Sequence, residues 1–189
     1  EYLAMTDLQL SNIVVDRIFS NSGYSSSSSS LYSLNIYYPD STRQRDAKPI
    51  KLDDGQEASS IDIEIPLTRL HSVTGTVVES GTGQTVNAAS VALIYPDDHS
   101  QLVRTQVGKE DGRFHFYFVP EGSYTVKVTN AEQVDREEVP SSRGVFPPTH
   151  TVEKKIRAYG NAEQPLTIQS DMTGVTLAVP DKATVQPAH

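Results

Sequence analysis

From Leu34 to Pro180 the chain is a succession of short runs rich in Val, Ile, Phe and Tyr, most of them bounded by Pro, Gly or Asp. LNIYYP, PIKL, SIDIEIPL, HSVTGTVVES, SVALIYP, QLVRTQV, RFHFYFV, SYTVKV, PLTIQ and GVTLAVP follow in order. Asp97-Asp98, Asp111-Gly112 and Glu121-Gly122 are typical of the turns between them. Runs of this length with a two-residue period read as strands, because successive side chains of a strand point to opposite faces. Parallel neighbours would need long crossovers, usually helical, and helical patterning is scarce. The fold class expected is therefore all-β, with antiparallel sheets packed face to face. Seven strands fall between His71 and Pro180, enough for a Greek-key sandwich of two sheets.

Composition narrows the function classes. Hydrophobic residues make up 37% of 189, enough for a core. Sixteen basic against 24 acidic residues give a net charge of -8, with no Lys/Arg cluster to offset it, which disfavours nucleic acid as a partner. With no cysteine, the chain can form no disulfide, thiolate metal site or cysteine nucleophile. No apolar run reaches the roughly 20 residues of a membrane-spanning helix. The opening EYLAMTDLQL lacks the basic stretch of a signal peptide, so the chain reads as an excerpt of a longer protein.

The first third is less regular. Leu3, Leu10, Val14 and Ile18 could share a helical face, although LQLSNIVV also reads as a strand. NSGYSSSSSSLYS reads as an exposed loop. Further on, an internal echo appears. Pro49-Ile-Lys-Leu52 with Ile61-Asp-Ile-Glu-Ile-Pro66 is mirrored by Pro165-Leu-Thr-Ile168 with Val175-Thr-Leu-Ala-Val-Pro180, and the pairs follow Tyr38-Pro39 and Phe146-Pro147. The spacing matches the length of one small β-sandwich. Residues 1–67 are expected to be a partial preceding repeat, 68–182 a complete module and 183–189 a tail. Half a sandwich would leave a bare sheet edge, so the partial repeat should pack on the module or pair with another chain.

EDGRFHFYFVPEGSYTVKV, residues 110–128, is the densest stretch. Asp111-Gly112 suits a tight turn, since Gly accepts positive φ and Asp can bond the turn backbone. Phe114, Phe116 and Phe118 alternate and should all enter the core. Pro120 should end the strand, Gly122 reverse it, and Tyr124 start the return with its hydroxyl free to reach backbone. The stretch is thus expected to be the central hairpin.

Taken with Val73-Thr-Gly75-Thr-Val77 and Ala89-Ser-Val91-Ala-Leu93, this stretch resembles the carboxypeptidase regulatory-like module, a prealbumin-like sandwich related to the Cna B-type repeats of surface proteins. The resemblance covers about residues 70–130, and Asp-Gly-x-Phe and Pro-x-Gly-x-Tyr are its most specific elements. Ala88 stands where the family often has Gly. The resemblance implies a non-catalytic structural or protein-interaction module of a secreted, periplasmic or cell-surface multi-domain protein. Its expected partners are other domains of the same or a neighbouring chain. Many Cna B-type domains carry a Lys–Asn isopeptide bond from a lysine on the first strand; HSVTGTVVES has no lysine, so no such bond is expected.

Candidate chemistry is sparse. His115 should lie on the face opposite the phenylalanines, with Arg113 and Tyr117. His71, His99, His150 and His189 lack metal-ligand spacing. Gly81-Thr-Gly83 reads as a hairpin turn rather than a phosphate loop, because no third glycine or helix follows. The acid pairs Asp53-Asp54, Asp97-Asp98 and Glu137-Glu138 read as solvated turns or linkers. No catalytic residue, metal or cofactor is expected, and the chain is not expected to be an enzyme. The alternative is a carbohydrate-binding accessory domain in which Tyr24, Tyr32, Tyr37 and Tyr38, around the serine tract, stack on a polysaccharide.

Overall fold

The computed structural model describes residues 2–9, 33–140, 142 and 149–182. The chain is all-β among these residues, with no α-helix, and divides into two compact units between Leu70 and His71. In the first unit, β1 (Met5–Gln9) pairs antiparallel with β2 (Ser33–Tyr37), Met5 opposite Tyr37 and Gln9 opposite Ser33. Leu34 and Ile36 of β2 are buried. Beyond the cis Tyr38-Pro39 peptide, the run PIKL contributes a single bridge, Ile50 to Tyr2.

SIDIEIPL, expected as a strand, lies outside any ladder. Its first residue, Ser60, turns left-handed (φ 63), Pro66 lacks a donor, and a 3-10 turn takes over at Leu67–Arg69. The helical reading through Leu10, Val14 and Ile18, the serine tract, Phe146-Pro147 and the tail from 183 fall outside the described residues.

Among its described residues the second unit holds eight strands rather than seven: β3 (Leu70–Glu79), β4 (Ala88–Ile94), β5 (Gln101–Gln106), β6 (Arg113–Pro120), β7 (Gly122–Pro140), β8 (Thr149–Ala158), β9 (Ala162–Ile168) and β10 (Met172–Val179). One sheet has the order β10-β3-β6; the other runs β5-β4-β7-β8, with β9 also on β7. Not every pair is antiparallel. β10 runs parallel to β3, Val175 opposite Gly75 and Val179 opposite Glu79. The unanticipated strand is β8, which pairs with Glu132–Pro140 of β7, a stretch whose charges had suggested a linker.

Inward side chains of both sheets meet in one apolar cluster. Val73, Val77, Phe114, Phe116, Leu177 and Val179 come from the first sheet; Val91, Leu93, Tyr124, Val126, Val128, Leu166 and Ile168 come from the second. Each large side chain so buried contributes about 1.5–3 kcal/mol. Gly75 is required by close approach: a Cβ there would sit 2.1 Å from the Val175 carbonyl oxygen and 2.5 Å from Phe114 Cζ.

Two expectations for residues 110–128 are corrected. Phe114 and Phe116 are core, but Phe118 is only half-buried. Its backbone turns left-handed (φ 53), which shifts the alternation so that Val119 and Pro120 point inward instead. Nor is the stretch a hairpin, because β6 and β7 belong to different sheets. Pro120-Glu121-Gly122 is an arch between the sheets, and the Tyr124 hydroxyl fastens it by donating to the Pro120 carbonyl at 2.8 Å.

Candidate functional site

Tyr24 and Tyr32 lie outside the described residues. Tyr37 and Tyr38 are half-buried in the first unit, where their backbones brace the chain. The Tyr37 N–H donates to the Ser41 carbonyl at 2.7 Å and the Tyr38 N–H to the Ala4 carbonyl at 3.0 Å.

His115 lies on the outward face of β6 and stacks on Tyr117, ring centroids 3.5 Å apart and planes 28° from parallel. Burial holds its pKa below the ordinary histidine value, so it favours the neutral imidazole. The Gly81-Thr-Gly83 segment is a turn: the Glu79 N–H donates to the Gln84 carbonyl at 2.8 Å and the Gly83 N–H to the Glu79 carbonyl at 2.9 Å. Asp98 caps its own turn, accepting from the Ser100 N–H at 2.9 Å and its hydroxyl at 2.6 Å. Glu137 and Glu138 lie within β7 rather than in a linker. Among the described residues, no group of three or more His, Asp or Glu side chains is placed to hold a metal ion, and no helix is long and apolar enough to cross a membrane.

Three polar clusters were not anticipated. The first surrounds Glu79, at the end of β3, which is only 3% exposed. Arg157 of β8 reaches its Oε1 at 2.9 Å, the Thr82 hydroxyl donates to Oε2 at 2.7 Å, and the same guanidinium pairs with Asp181. Arg157 also lies 5.3 Å over the Tyr159 ring centroid. A buried carboxylate needs such partners, since burying it alone would cost several kcal/mol. A sequence signal existed. Glu79 continues the inward parity of Val73, Gly75 and Val77, and an acid at an inward position implies a cation that reaches it.

The second cluster joins three chain segments. His71 Nε2 lies 3.2 Å from Glu121 Oε1 in the β6–β7 arch, and its Nδ1 lies 3.8 Å from Asp171 Oδ1 before β10. Asp171 also accepts the Ser72 N–H at 2.8 Å. In the third, Arg136 Nε donates to Glu153 Oε1 at 3.0 Å, its Nη1 to the Lys109 carbonyl at 2.8 Å, and Lys109 Nζ approaches the same carboxylate at 3.4 Å. The hydrogen bond from Arg136, with its charge and that of Lys109, holds the Glu153 pKa below the usual carboxylate range. Asn87 acts similarly as a clamp, donating to the Val134 carbonyl at 2.7 Å and accepting its N–H at 2.8 Å. In all of these, the polar groups tie one strand or turn to another.

No family model matches the chain, and no curated protein matches it. Among solved structures, a candidate carbohydrate-binding protein from Pseudomonas aeruginosa aligns at 12% identity and TM-score 0.30, over 59% of this chain and 88% of that one. A 9R-lipoxygenase from Cyanothece aligns at 16% identity and TM-score 0.32, over 67% of this chain and 19% of the other. At these TM-scores neither likeness carries an argument about fold or function.

Proposed function

We propose that the chain is a non-catalytic module of the carboxypeptidase regulatory-like, prealbumin-like sandwich type, part of a secreted, periplasmic or cell-surface multi-domain protein. Its role on this reading is structural spacing or contact with other protein domains. One observation carries it: among the described residues, the clustered charged side chains are engaged in fastening strands and turns together. Glu79 is held by Arg157 and Thr82, His71 by Glu121 and Asp171, and Glu153 by Arg136 and Lys109. Two sheets sharing one apolar cluster support the sandwich reading.

The experiment is a titration of the full chain with a panel of bacterial and plant polysaccharides, alongside the Tyr37→Ala and Tyr38→Ala variants. The proposal expects no saturable binding. Saturable binding that these variants abolish would replace it with the carbohydrate-binding alternative.

A further inference from the structure

We propose that β8 is a docking edge for residues Ile61–Leu67 of a second copy of this chain, which add to it as an antiparallel strand. This deepens the protein-contact reading above and rests on it. β8 closes the order β5-β4-β7-β8, so among the described residues no further strand covers its outer side. An edge of this kind is a template for another chain. Its apolar side chains are unusually open, with Val152 44% and Ile156 57% exposed.

Charge selects the occupant. In a chain of net charge -8, β8 carries Lys154, Lys155 and Arg157 against Glu153 alone. On its inner side it already pairs with an acidic strand: Lys154 lies opposite Asp135, and Lys155 makes an ion pair with Glu132. A second β8 on the outer side would bring cations near cations, which is destabilising across a ladder. An acidic segment of strict alternation suits that edge, and the chain contains one that joins no ladder among the described residues. In Ile61-Asp-Ile-Glu-Ile65 the acids fall on one face and the isoleucines on the other. Ile65 and Leu67 are 38% and 60% exposed. With Glu64 set opposite Lys155, Ile63 meets the bulged Ile156, Asp62 falls opposite Arg157, whose guanidinium Glu79 and Asp181 already engage, and Leu67 leaves its 3-10 turn to meet Val152. Pro66 is tolerated because the added strand is outermost and needs no donor on its far side.

The test uses sedimentation of the full chain over a concentration series, with two charge-swapped variants. One carries Asp62→Lys and Glu64→Lys; the other carries Lys154→Glu and Lys155→Glu. Self-association of the natural chain is expected, weakened about tenfold or more in each variant alone. Mixing the two variants restores it, because each segment then meets an edge of opposite charge. A natural chain that stays monomeric throughout overturns the inference, as do variants that associate like the natural chain or a mixture that fails to. None of these outcomes touches the proposed function, which saturable polysaccharide binding alone would displace.

Discussion

β7 is one strand with two ways of being held. From Gly122 to Val128 it pairs with β9, joined on its other side by β4 from Thr125 onward, and Tyr124, Val126 and Val128 are buried at every second position. From Glu132 to Pro140 it pairs with β8, whose side chains are exposed along almost its whole length. The first half is secured by apolar area removed from water. The second is secured by a backbone ladder, the Asn87 clamp and ion pairs in contact with solvent. Such solvent-screened pairs contribute little, so the ribbon belongs to the low-stability end of the molecule.

The largest test of that contrast lies in the core. Phe116→Ala should cost about 3–5 kcal/mol in denaturant unfolding of the second unit, because the ring is fully buried in the shared cluster. Gly75→Ala should cost about 1–3 kcal/mol, since the new methyl must displace either the Val175 carbonyl or the Phe114 ring. In the ribbon, Asn87→Ala should cost about 1–2 kcal/mol by leaving the Val134 N–H and carbonyl without their clamp. If the ribbon is held as described, that loss should appear as faster exchange of β8 amides with little change at β4.

Acid separates the two regions further. His115 has a lowered folded-state pKa, so its contribution to stability is present above its ordinary value of 6.5 and is lost as pH falls through the folded value. The part of any stability change in this window that His115 carries should vanish in His115→Phe. Glu153 also has a lowered pKa, but its contribution is present above 4.5 and is lost only at still lower pH. Loosening of the β7–β8 ribbon should therefore begin below the window in which β6 responds. The smallest effect expected is salt sensitivity at neutral pH: added salt should loosen the ribbon and leave the β4–β7 pairing unchanged.

What was legible in the sequence follows the same divide. Val73, Phe114, Phe116, Tyr124, Val126 and Leu177 announce their strands because burial imposes a period of two on apolar residues. THTVEKKIRA and DREEVP carry no such period, as neither face of their ribbon is buried, so pairing between them left no apolar trace. Parity also misleads where the backbone departs from regular strand geometry. Phe118 has the spacing of a core residue, but its left-handed φ turns the alternation over, and nothing in the neighbouring residues encodes that. SIDIEIPL shows the converse, a clean alternation without a ladder partner among the described residues. Of the site residues, Glu79 was readable from its inward parity. The His71, Glu121 and Asp171 cluster was not, since it depends on how two turns meet the start of β3.

Residue-resolved hydrogen exchange of the full chain in dilute solution tests the central contrast most directly. Amides of Val126 and Val128 should exchange only through global unfolding of the second unit, while those of β8 exchange much faster through local opening. Equal protection of β8 and the first half of β7 would contradict that account, showing that the charged ribbon unfolds as one with the apolar core.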